Sequence, residues 1–356
     1  MLSPAAWGDA EPGAVSQQQS ETGVWLRRLL VTQFRCYEET ELRLGAGPVV
    51  LTGPNGAGKT NLLEAISFLS PGRGLRRARL SEIDRRTAGA QSGTRPWTVA
   101  ATVETPEGPR DLGSGRDPAQ ADGAAQGNGG RERRLVRVDG AAARGQQALA
   151  EILSVVWLTP QMDGLFREGA GGRRRFLDRL DMVARLQSAC DGAEGPFPKV
   201  DLGLEGAVED WLRGGPALAA EDRLRDGLAA RRRQDAESGG AGLGPHRSDL
   251  LAHHRAKGVA AELCSTGEQK ALLIAILLAH ARLLTLERGA APLLLLDEVA
   301  AHLDAARRAA LYEEILDLGA QAWLTGTDVA DFDGLAGRAQ FFSVHDGTVQ
   351  EGAAAP

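Results

Sequence analysis

The stretch Gly53-Pro54-Asn55-Gly56-Ala57-Gly58-Lys59-Thr60 decides the fold of this chain. It matches Gly-x-x-x-x-Gly-Lys-Ser/Thr, the pattern of a loop that binds phosphate between a strand and a helix. The apolar residues 49–51 before it predict a buried strand, and residues 61–69 after it have the spacing of a helix. Glycines let backbone N–H groups curve around phosphate oxygens, and a helix N-terminus attracts the anion. The sequence therefore predicts an α/β fold around a nucleoside triphosphate.

The phosphate loop also predicts individual roles. Lys59 would reach the β- and γ-phosphates, and the Thr60 hydroxyl would be a ligand of Mg²⁺. Further contacts with ATP are predicted from the rest of the loop and from the residue after it, namely Gly53, Pro54, Asn55, Gly56, Ala57, Gly58 and Asn61. The alternative is a chance glycine-rich turn, against which the flanking strand and helix argue.

A second motif is a run of four leucines at 293–296 that ends in two adjacent acids, Asp297 and Glu298. Such a run predicts a strand buried in a parallel sheet, where unpaired carboxylates are costly. We predict Mg²⁺ as the partner cation, held by Asp297, with Glu298 as the catalytic carboxylate that polarises the attacking water. The alternative is an exposed strand end followed by a helix.

A third motif is Ser265-Thr266-Gly267-Glu268-Gln269-Lys270 at the start of a long apolar segment. Ser265 followed by Glu268 makes a capping box, so one interpretation is purely structural. Its position between the other two motifs indicates more, because it resembles the signature sequence of ABC-type ATPase heads. There the helix start points at the γ-phosphate held by a second subunit. The resemblance implies that Ser265, Gly267 and Gln269 contact the nucleotide.

Composition bounds the class of protein. The 356 residues carry a net charge of −6, with 43% hydrophobic and 25% charged residues, as in soluble globular proteins. No apolar run approaches the ~20 residues of a membrane span. Three cysteines without a Cys-x-x-Cys pair support neither a disulfide framework nor a zinc site. These features predict a cytoplasmic protein without a membrane segment.

Positive charge comes mainly from arginine and gathers in three clusters. Because the net charge is negative, contact with a polyanion must come from such local patches. Each cluster fits either a solvated face or a phosphate contact, and the sequence leaves both open. The clusters are Arg73, Arg76, Arg77, Arg79, Arg85 and Arg86; Arg131, Arg133, Arg134 and Arg137; and Arg173, Arg174 and Arg175.

The spacing of apolar residues predicts the remaining elements. A β-meander over 24–44 leads into the strand at 49–51, and a strand at 97–103 has a possible hairpin partner at 135–138. Further strands are predicted at 155–158 and 323–325. The segment 267–286 predicts a helix that is apolar around most of its circumference and therefore buried. Large apolar residues are nearly absent from 105–131, which predicts a mobile surface loop.

Four segments together resemble the RecF family of bacterial recombination-repair proteins, which are SMC-type ATPases. The resemblance spans most of 24–350, and its segments are Phe34-Arg35-Cys36-Tyr37, residues 53–66, Gly244-Pro245-His246-Arg247-Ser248-Asp249 and the Ser265 motif. It implies the ABC-type ATPase head of P-loop NTPases, an α/β fold with a mixed sheet and flanking helices. It also implies an inserted, mainly helical second lobe.

The resemblance implies further site residues. Gln161 would be the glutamine that senses Mg²⁺ and water, and Asp304 would cross the dimer interface. Arg35 would lie near the nucleotide. Thr327 occupies the approximate position of a switch histidine in related ATPases, so this chain departs from the pattern there.

The function that the resemblance implies is ATP-dependent dimerisation on DNA with weak ATP hydrolysis. The DNA would be a gap with a single-strand/double-strand junction, and RecO and RecR would cooperate in loading RecA. Two alternatives come from other classes. One is the ATPase subunit of a membrane transporter, and the other is a DNA scaffold that binds ATP with negligible turnover.

The predicted organisation has four parts. A disordered tail at 1–22 precedes the N-terminal part of the ATPase head at 23–172. A mainly helical lobe follows at 173–240, and 241–356 completes the head. Family members carry a substantial helical arm after a segment such as 173–180, whereas this chain soon reaches Gly244. The lobe is therefore predicted to be shortened.

Overall fold

The computed structural model describes residues 23–85, 95–117, 132–165, 183–238, 241–244, 247–301 and 303–352. Several predictions concern residues outside these ranges: the tail at 1–22, the arginines at 173–175, and Pro245 and His246 of the fourth motif. Strands and helices within the described residues are numbered along the chain.

An antiparallel sheet forms the first layer, in the order β2-β1-β4-β5-β6-β7. Its strands are β1 (Trp25–Phe34), β2 (Tyr37–Arg43), β4 (Thr98–Glu104), β5 (Arg110–Arg116), β6 (Arg134–Val138) and β7 (Ala141–Ala142). The predicted meander over 24–44 is thus confirmed for β1 and β2. The strand at 49–51 does not continue it, because it belongs to the central sheet.

Strand β5 corrects two predictions. The loop predicted at 105–131 contains this strand, and β6 pairs with β5 rather than with β4. The sequence of β5 has one large apolar residue, Leu112, among Gly, Ser and charged residues, so it lacks the alternation that signals a strand. Backbone pairing on both sides holds it in the sheet, and a buried ion pair between Arg116 and Asp84 lies at its end.

The central sheet is mixed, in the order β15-β14-β3-β13-β12-β8. Its strands are β3 (Val49–Thr52), β8 (Val155–Leu158), β12 (Leu293–Leu296), β13 (Ala322–Gly326), β14 (Gln340–His345) and β15 (Thr348–Gly352). All neighbours are parallel except the β14–β15 pair. Strands β3, β12 and β13 are completely buried, as expected for parallel strands covered on both faces. The predicted strands at 49–51, 155–158, 293–296 and 323–325 are therefore confirmed.

Alternate residues of the central strands face two different cores. Leu294 and Leu296 pack into one core, and Leu293 and Leu295 pack into the other. The second core joins the central sheet to the antiparallel sheet and to helix α1 (Lys59–Ser67), which follows the phosphate loop. The first core includes the long helix predicted from the sequence.

That long helix is α7 (Thr266–Arg288). The helices between α1 and α7 are α2 (Leu80–Ile83), α3 (Gln147–Ala150), α4 (Val183–Gly192), α5 (Ala207–Arg213) and α6 (Ala217–Ser238). From Gln269 to Ala281 every residue of α7 except Ala275 is buried. Among the described helices, α7 alone is long and apolar enough to cross a membrane. However, 67% of its most apolar stretch is buried inside the protein, as in the core helix of a soluble protein.

The segment predicted as a mainly helical lobe contains a strand as well. Strand β9 (Val200–Glu205) pairs with β10 (Asp249–His254), which pairs with β11 (Val259–Ala260). Leu186 and Cys190 of α4 and Val200 of β9 belong to the same core as α7. Helices α5 and α6 contact each other, and α6 buries only Ala220. Part of 173–240 therefore packs within the head, and α5 and α6 are its exposed part.

Arg134 on β6 has a structural role, although the sequence left it open as a phosphate contact. Its guanidinium donates to the carbonyls of Phe68, Ser70 and Gly72 after α1, and lies 5.1 Å from the centre of the Phe68 ring. A cation satisfies carbonyls beyond a helix C-terminus well. Burial lowers the pKa of Arg134 to about 10, so it remains charged at neutral pH.

We expect Arg134→Ala to lower the free energy of unfolding by about 2 kcal/mol, because the carbonyls of Phe68, Ser70 and Gly72 lose a charged donor. The measurement is equilibrium urea denaturation. The matched control is Arg137→Ala on the same strand, where the side chain is exposed, with an expected change within about 0.5 kcal/mol. Equal stability of the two variants would contradict the structural role of Arg134.

Candidate functional site

The predicted motifs meet at one edge of the central sheet. Strands β3, β13, β12 and β8 are neighbours and run parallel, so their carboxyl ends lie side by side. The phosphate loop follows β3, the acids follow β12, and Gln161 lies just after β8. Ligands of open parallel sheets bind at this edge. The sequence alone gave the motifs, and the topology brings them together.

The phosphate loop can adopt its conformation and pack against its neighbours only because of its glycines. Gly53 has φ 143°, and a Cβ there would lie 2.2 Å from the carbonyl oxygen of Val344. Gly58 has φ 119°, and a Cβ would lie 2.7 Å from both the Cys36 sulfur and the Tyr37 hydroxyl oxygen. Helix α1 begins after Gly58 without a side-chain cap. This helix start can therefore offer backbone amides to phosphate.

Lys59 lies inside the loop. Its Nζ donates to the carbonyl oxygens of Gly53 at 2.6 Å and Pro54 at 2.9 Å. Burial lowers the pKa of Lys59, while Glu298 and Asp297 act in the opposite direction. A buried ammonium held by carbonyls can exchange them for phosphate oxygens, which are stronger acceptors.

Thr60 and Asp297, two of the predicted ligands of Mg²⁺, lie in direct contact. The Thr60 hydroxyl donates to Asp297 Oδ1 at 2.9 Å, although 237 residues separate them in the sequence. Thr325 on the intervening strand β13 donates to the same oxygen at 2.8 Å. Asp297 is 6% exposed, so these two hydroxyls stabilise a buried carboxylate.

Glu298 has an unusual backbone. Its φ is 50°, in the left-handed region that residues other than glycine rarely occupy. Its N–H donates to Thr325 Oγ1 at 2.8 Å, and its carbonyl accepts from Lys270 Nζ at 3.0 Å. Such strain persists only where the surroundings enforce it, and it is frequent at active sites. The side chain is half-buried beside the sheet edge.

The residues present fit ATP and Mg²⁺. A hydroxyl and a carboxylate 2.9 Å apart offer the oxygen ligands that Mg²⁺ prefers, next to a loop suited to triphosphate. When bound, Mg²⁺ would neutralise charge that develops on the phosphate oxygens. Lys59 would bind phosphate, Thr60 and Asp297 would hold the metal, and Glu298 would orient and polarise water. These roles remain predictions.

Arg35 has a different immediate partner from the one predicted. Its guanidinium makes two hydrogen bonds of 2.9 Å to Glu64 on α1. Arg76 also contacts Glu64, at 3.0 Å, and donates to Asn61 at 2.7 Å. Glu64 is completely buried and therefore needs such cations. The predicted contact of Arg35 with a nucleotide remains a prediction, and the observed arrangement orients α1.

The signature segment begins α7 as the capping box predicts. Ser265 Oγ accepts from the N–H of Glu268, and the Ser265 N–H donates to the Glu268 carboxylate at 3.0 Å. Hydrogen bonds from Lys257 and from Ser265 lower the pKa of Glu268 to about 2. The carboxylate is thus ionised at neutral pH, and its stabilising effect is lost only as the pH falls from about 4.5 towards 2. Ser265 is exposed, and the space beside the Gly267 Cα is open.

Gln269 has backbone partners that the sequence does not predict. Its side chain is completely buried and donates to the carbonyls of Glu262 and Cys264 at 3.1 and 2.9 Å. It therefore orders the backbone before the helix. The predicted contact of Gln269 with a nucleotide remains a prediction.

Gln161, Thr327 and Asp304 are exposed. Gln161 lies in the short 3₁₀ helix Pro160–Gly164, and Thr327 follows β13 at the same edge of the sheet. Asp304 caps helix α8 (Ala305–Leu318) by accepting from the Arg307 N–H at 2.8 Å. Its cap leaves it at the surface. The interface role of Asp304 remains a prediction.

Sequence reasoning missed three residues that organise the site: Glu64, Lys270 and Thr325. The sequence could have indicated Glu64, because an acid inside the apolar run of α1 requires a buried cation. It could likewise have indicated Lys270, because a lysine next to the apolar run of α7 requires buried acceptors. Thr325 gave no such indication, since a threonine is ordinary in a strand.

This edge, with its phosphate loop, paired acids and nearby glycine-containing helix start, defines an ATPase head of the ABC class. The family described as RecF/RecN/SMC N terminal domain matches residues 25–327. The "DNA replication and repair protein RecF" of Mesorhizobium japonicum is 42% identical over 381 aligned positions, which cover 91% of this chain and 97% of the relative. The protein of that name from Brucella suis is 43% identical and covers 91% and 95%. The chain belongs to the RecF family.

Solved structures agree with this fold. The recombination mediator protein RecF-ATPrS of the RecFOR pathway matches with a TM-score of 0.72 at 19% identity, over 94% of this chain and 100% of that one. An Smc head bound to the C-winged helix domain of ScpA matches with a TM-score of 0.57 at 16% identity, over 92% and 97%. The predicted α/β class, with a mixed sheet and flanking helices, is confirmed.

Proposed function

We propose that this chain is an ATP-dependent DNA-binding protein of recombinational repair and replication. It binds single-strand/double-strand gap junctions as an ATP-induced homodimer and assists RecA loading together with RecO and RecR. ATP hydrolysis is weak and DNA-stimulated, and it acts as a switch. The protein is cytoplasmic. Relatives that share about 42% identity over 91% of the chain carry a replication and repair name, which supports this proposal.

The observation that carries the proposal is the link between Thr60 and Asp297. A hydroxyl from the phosphate loop and an acid from β12 meet at 2.9 Å, on either side of strand β13. A hydroxyl and a carboxylate in contact beside a phosphate loop support a Mg²⁺ site next to a bound triphosphate. It supports binding of ATP with Mg²⁺ in one subunit.

The dimer in the proposal rests on the two separate parts of the site. Ser265 is exposed, Gly267 is half-buried with open space beside its Cα, and the side chain of Ser265 is hydrogen-bonded to Glu268 of its own helix. A second copy can therefore place its triphosphate against them. The two copies would associate when ATP binds and separate when it is lost, because a ligand shared between two copies stabilises the dimer.

We expect gapped DNA to bind more tightly with ATP than with ADP and to stimulate hydrolysis. Phosphate contacts through arginine make DNA affinity fall with salt. The measurement is fluorescence anisotropy on gapped, duplex and single-stranded DNA of equal length, with each nucleotide, at several salt concentrations. Equal affinity for the three DNAs in ATP and ADP would contradict the proposal.

The same experiment separates the alternatives. A scaffold without turnover would bind gapped DNA in ATP but release no phosphate above background. A transporter subunit would bind none of the three DNAs specifically and would co-fractionate with membranes. The buried position of α7 in the core argues against a membrane role for that helix.

A further inference from the structure

Glu298 is held in its strained conformation from two sides. Its N–H is held by Thr325, which also donates to Asp297. Its carbonyl is held by Lys270, whose Nζ also donates to the Ala301 carbonyl at 2.8 Å. A φ of 50° at a glutamate costs free energy, so these contacts keep the backbone there.

Lys270 is an unusual residue for this position. It is 3% exposed, and buried apolar residues follow it on α7. Burying an ammonium group is costly unless polar partners surround it. The carbonyls of Glu298 and Ala301 supply such partners. The turn after β12 therefore stabilises the buried ammonium of Lys270, and Lys270 in turn stabilises the conformation of that turn.

Lys270 also lies close to the start of α7. It is the fifth residue after the cap Ser265, which corresponds to about 7.5 Å along a helix that rises 1.5 Å per residue. Between the cap and Lys270, Glu268 is hydrogen-bonded to Ser265, and Gln269 is hydrogen-bonded to the backbone before the helix. A movement of the helix start would therefore reach the Glu298 carbonyl through Lys270.

We propose that Lys270 is a positioning residue that couples the start of α7 to Glu298. The start of α7 would meet the triphosphate of a second copy, and Glu298 would act on the triphosphate of its own chain. Lys270 thus links the two nucleotide sites of a dimer. The role in hydrolysis rests on the proposed function, whereas the hold on the Glu298 backbone is a property of the single chain.

The test compares Lys270→Met, which keeps the length but removes the donors, with Lys270→Arg, which keeps charge and donors. In Lys270→Met we expect kcat for ATP hydrolysis to fall on the order of tenfold to a hundredfold, with KM changed less than about twofold. Amide hydrogen exchange of residues 298–301 should accelerate, while that of the phosphate loop stays unchanged. Lys270→Arg should restore part of both.

Two further variants sharpen the test. Arg282→Met removes a cation from the same helix, where it pairs with Glu314, and should leave kcat and exchange at 298–301 unchanged. Lys270→Gln keeps a neutral donor and should show smaller changes of the same sign in kcat and in hydrogen exchange. It replaces the Met variant in the test if Lys270→Met does not fold.

Three results would overturn the proposal. They are unchanged exchange at 298–301 in Lys270→Met and Lys270→Gln, a general increase in exchange across the core, and a rise in KM without loss of kcat. If the wild-type protein shows no ATP hydrolysis, the proposed function fails. The exchange comparison still decides whether Lys270 holds Glu298.

Discussion

Replacing Lys59 by Met is expected to weaken ATP binding on the order of a thousandfold. Lys59 is the cation of the phosphate loop and is buried against the carbonyls of Gly53 and Pro54. With ATP bound, the ammonium would donate to the β- and γ-phosphates, and each charge-assisted hydrogen bond contributes about 1.5–3 kcal/mol. Two such bonds correspond to about three decades in affinity.

The measurement is titration of a fluorescent ATP analogue with Mg²⁺, read by anisotropy. The matched control is Lys199→Met, the same substitution at a lysine whose Nζ donates to the carbonyl of Asp191, far from the loop in the sequence. Circular dichroism confirms that both variants fold. Wild-type affinity in Lys59→Met would show that the loop does not bind triphosphate.

Local motifs were predictable because their chemistry is contained in a few consecutive residues. The phosphate loop, the acids after four leucines and the capping box each depend on neighbours in the sequence, and the structure shows each of these elements. The buried strands were predictable for the same reason, since a continuous apolar run has few other places to lie.

Elements that depend on partners distant in the sequence were not predictable. Strand β5 is held by β4 and β6 rather than by its own apolar residues. Strand β9 alternates apolar and polar residues from Val200 to Glu205, but it lies between segments with helical patterns. The sequence pattern therefore predicts it as part of a helical lobe. In both cases the pairing partner decides the structure, as is usual for strands.

The same limit applies to side chains of the site. The sequence shows that Arg35 and Arg134 are cations, but it does not reveal their partners. Arg35 pairs with Glu64, and Arg134 donates to the carbonyls after α1. Gln269 lies inside a nucleotide motif, yet its amide orders the backbone before α7. These roles depend on contacts between segments far apart in the chain, which the spacing of residues in the sequence does not predict.

The comparison with relatives bears on the shortened lobe. The alignment with the Mesorhizobium japonicum protein has 381 positions, more than the 356 residues of this chain, so that relative carries residues within the matched region that are missing here. This supports a shortened chain. That the missing residues belong to the lobe at 173–240 remains a prediction.

Replacing Glu298 by Gln is expected to lower ATP turnover on the order of a thousandfold and to trap an ATP-bound dimer. A carboxylate that polarises water contributes about a hundredfold to ten-thousandfold, and an amide of the same shape cannot do so. The hydrogen bonds of Glu298 to Thr325 and Lys270 involve only its backbone, so the substitution should leave the fold intact. The triphosphate then persists between the two copies.

The measurement of the Glu298→Gln effect is phosphate release together with light scattering after gel filtration, in ATP, in ADP and without nucleotide. Glu351→Gln on the exposed strand β15 is the matched control and should keep wild-type turnover. Adding Ser265→Arg to Glu298→Gln places a bulky cation at the start of α7 and should return the protein to a monomer that still binds ATP. The double variant separates the two halves of the site, because loss of the dimer with ATP binding intact assigns Ser265 to the neighbouring copy. A dimer that survives Ser265→Arg, or a Glu298→Gln protein that stays monomeric while saturated with ATP, would exclude a triphosphate shared across two chains.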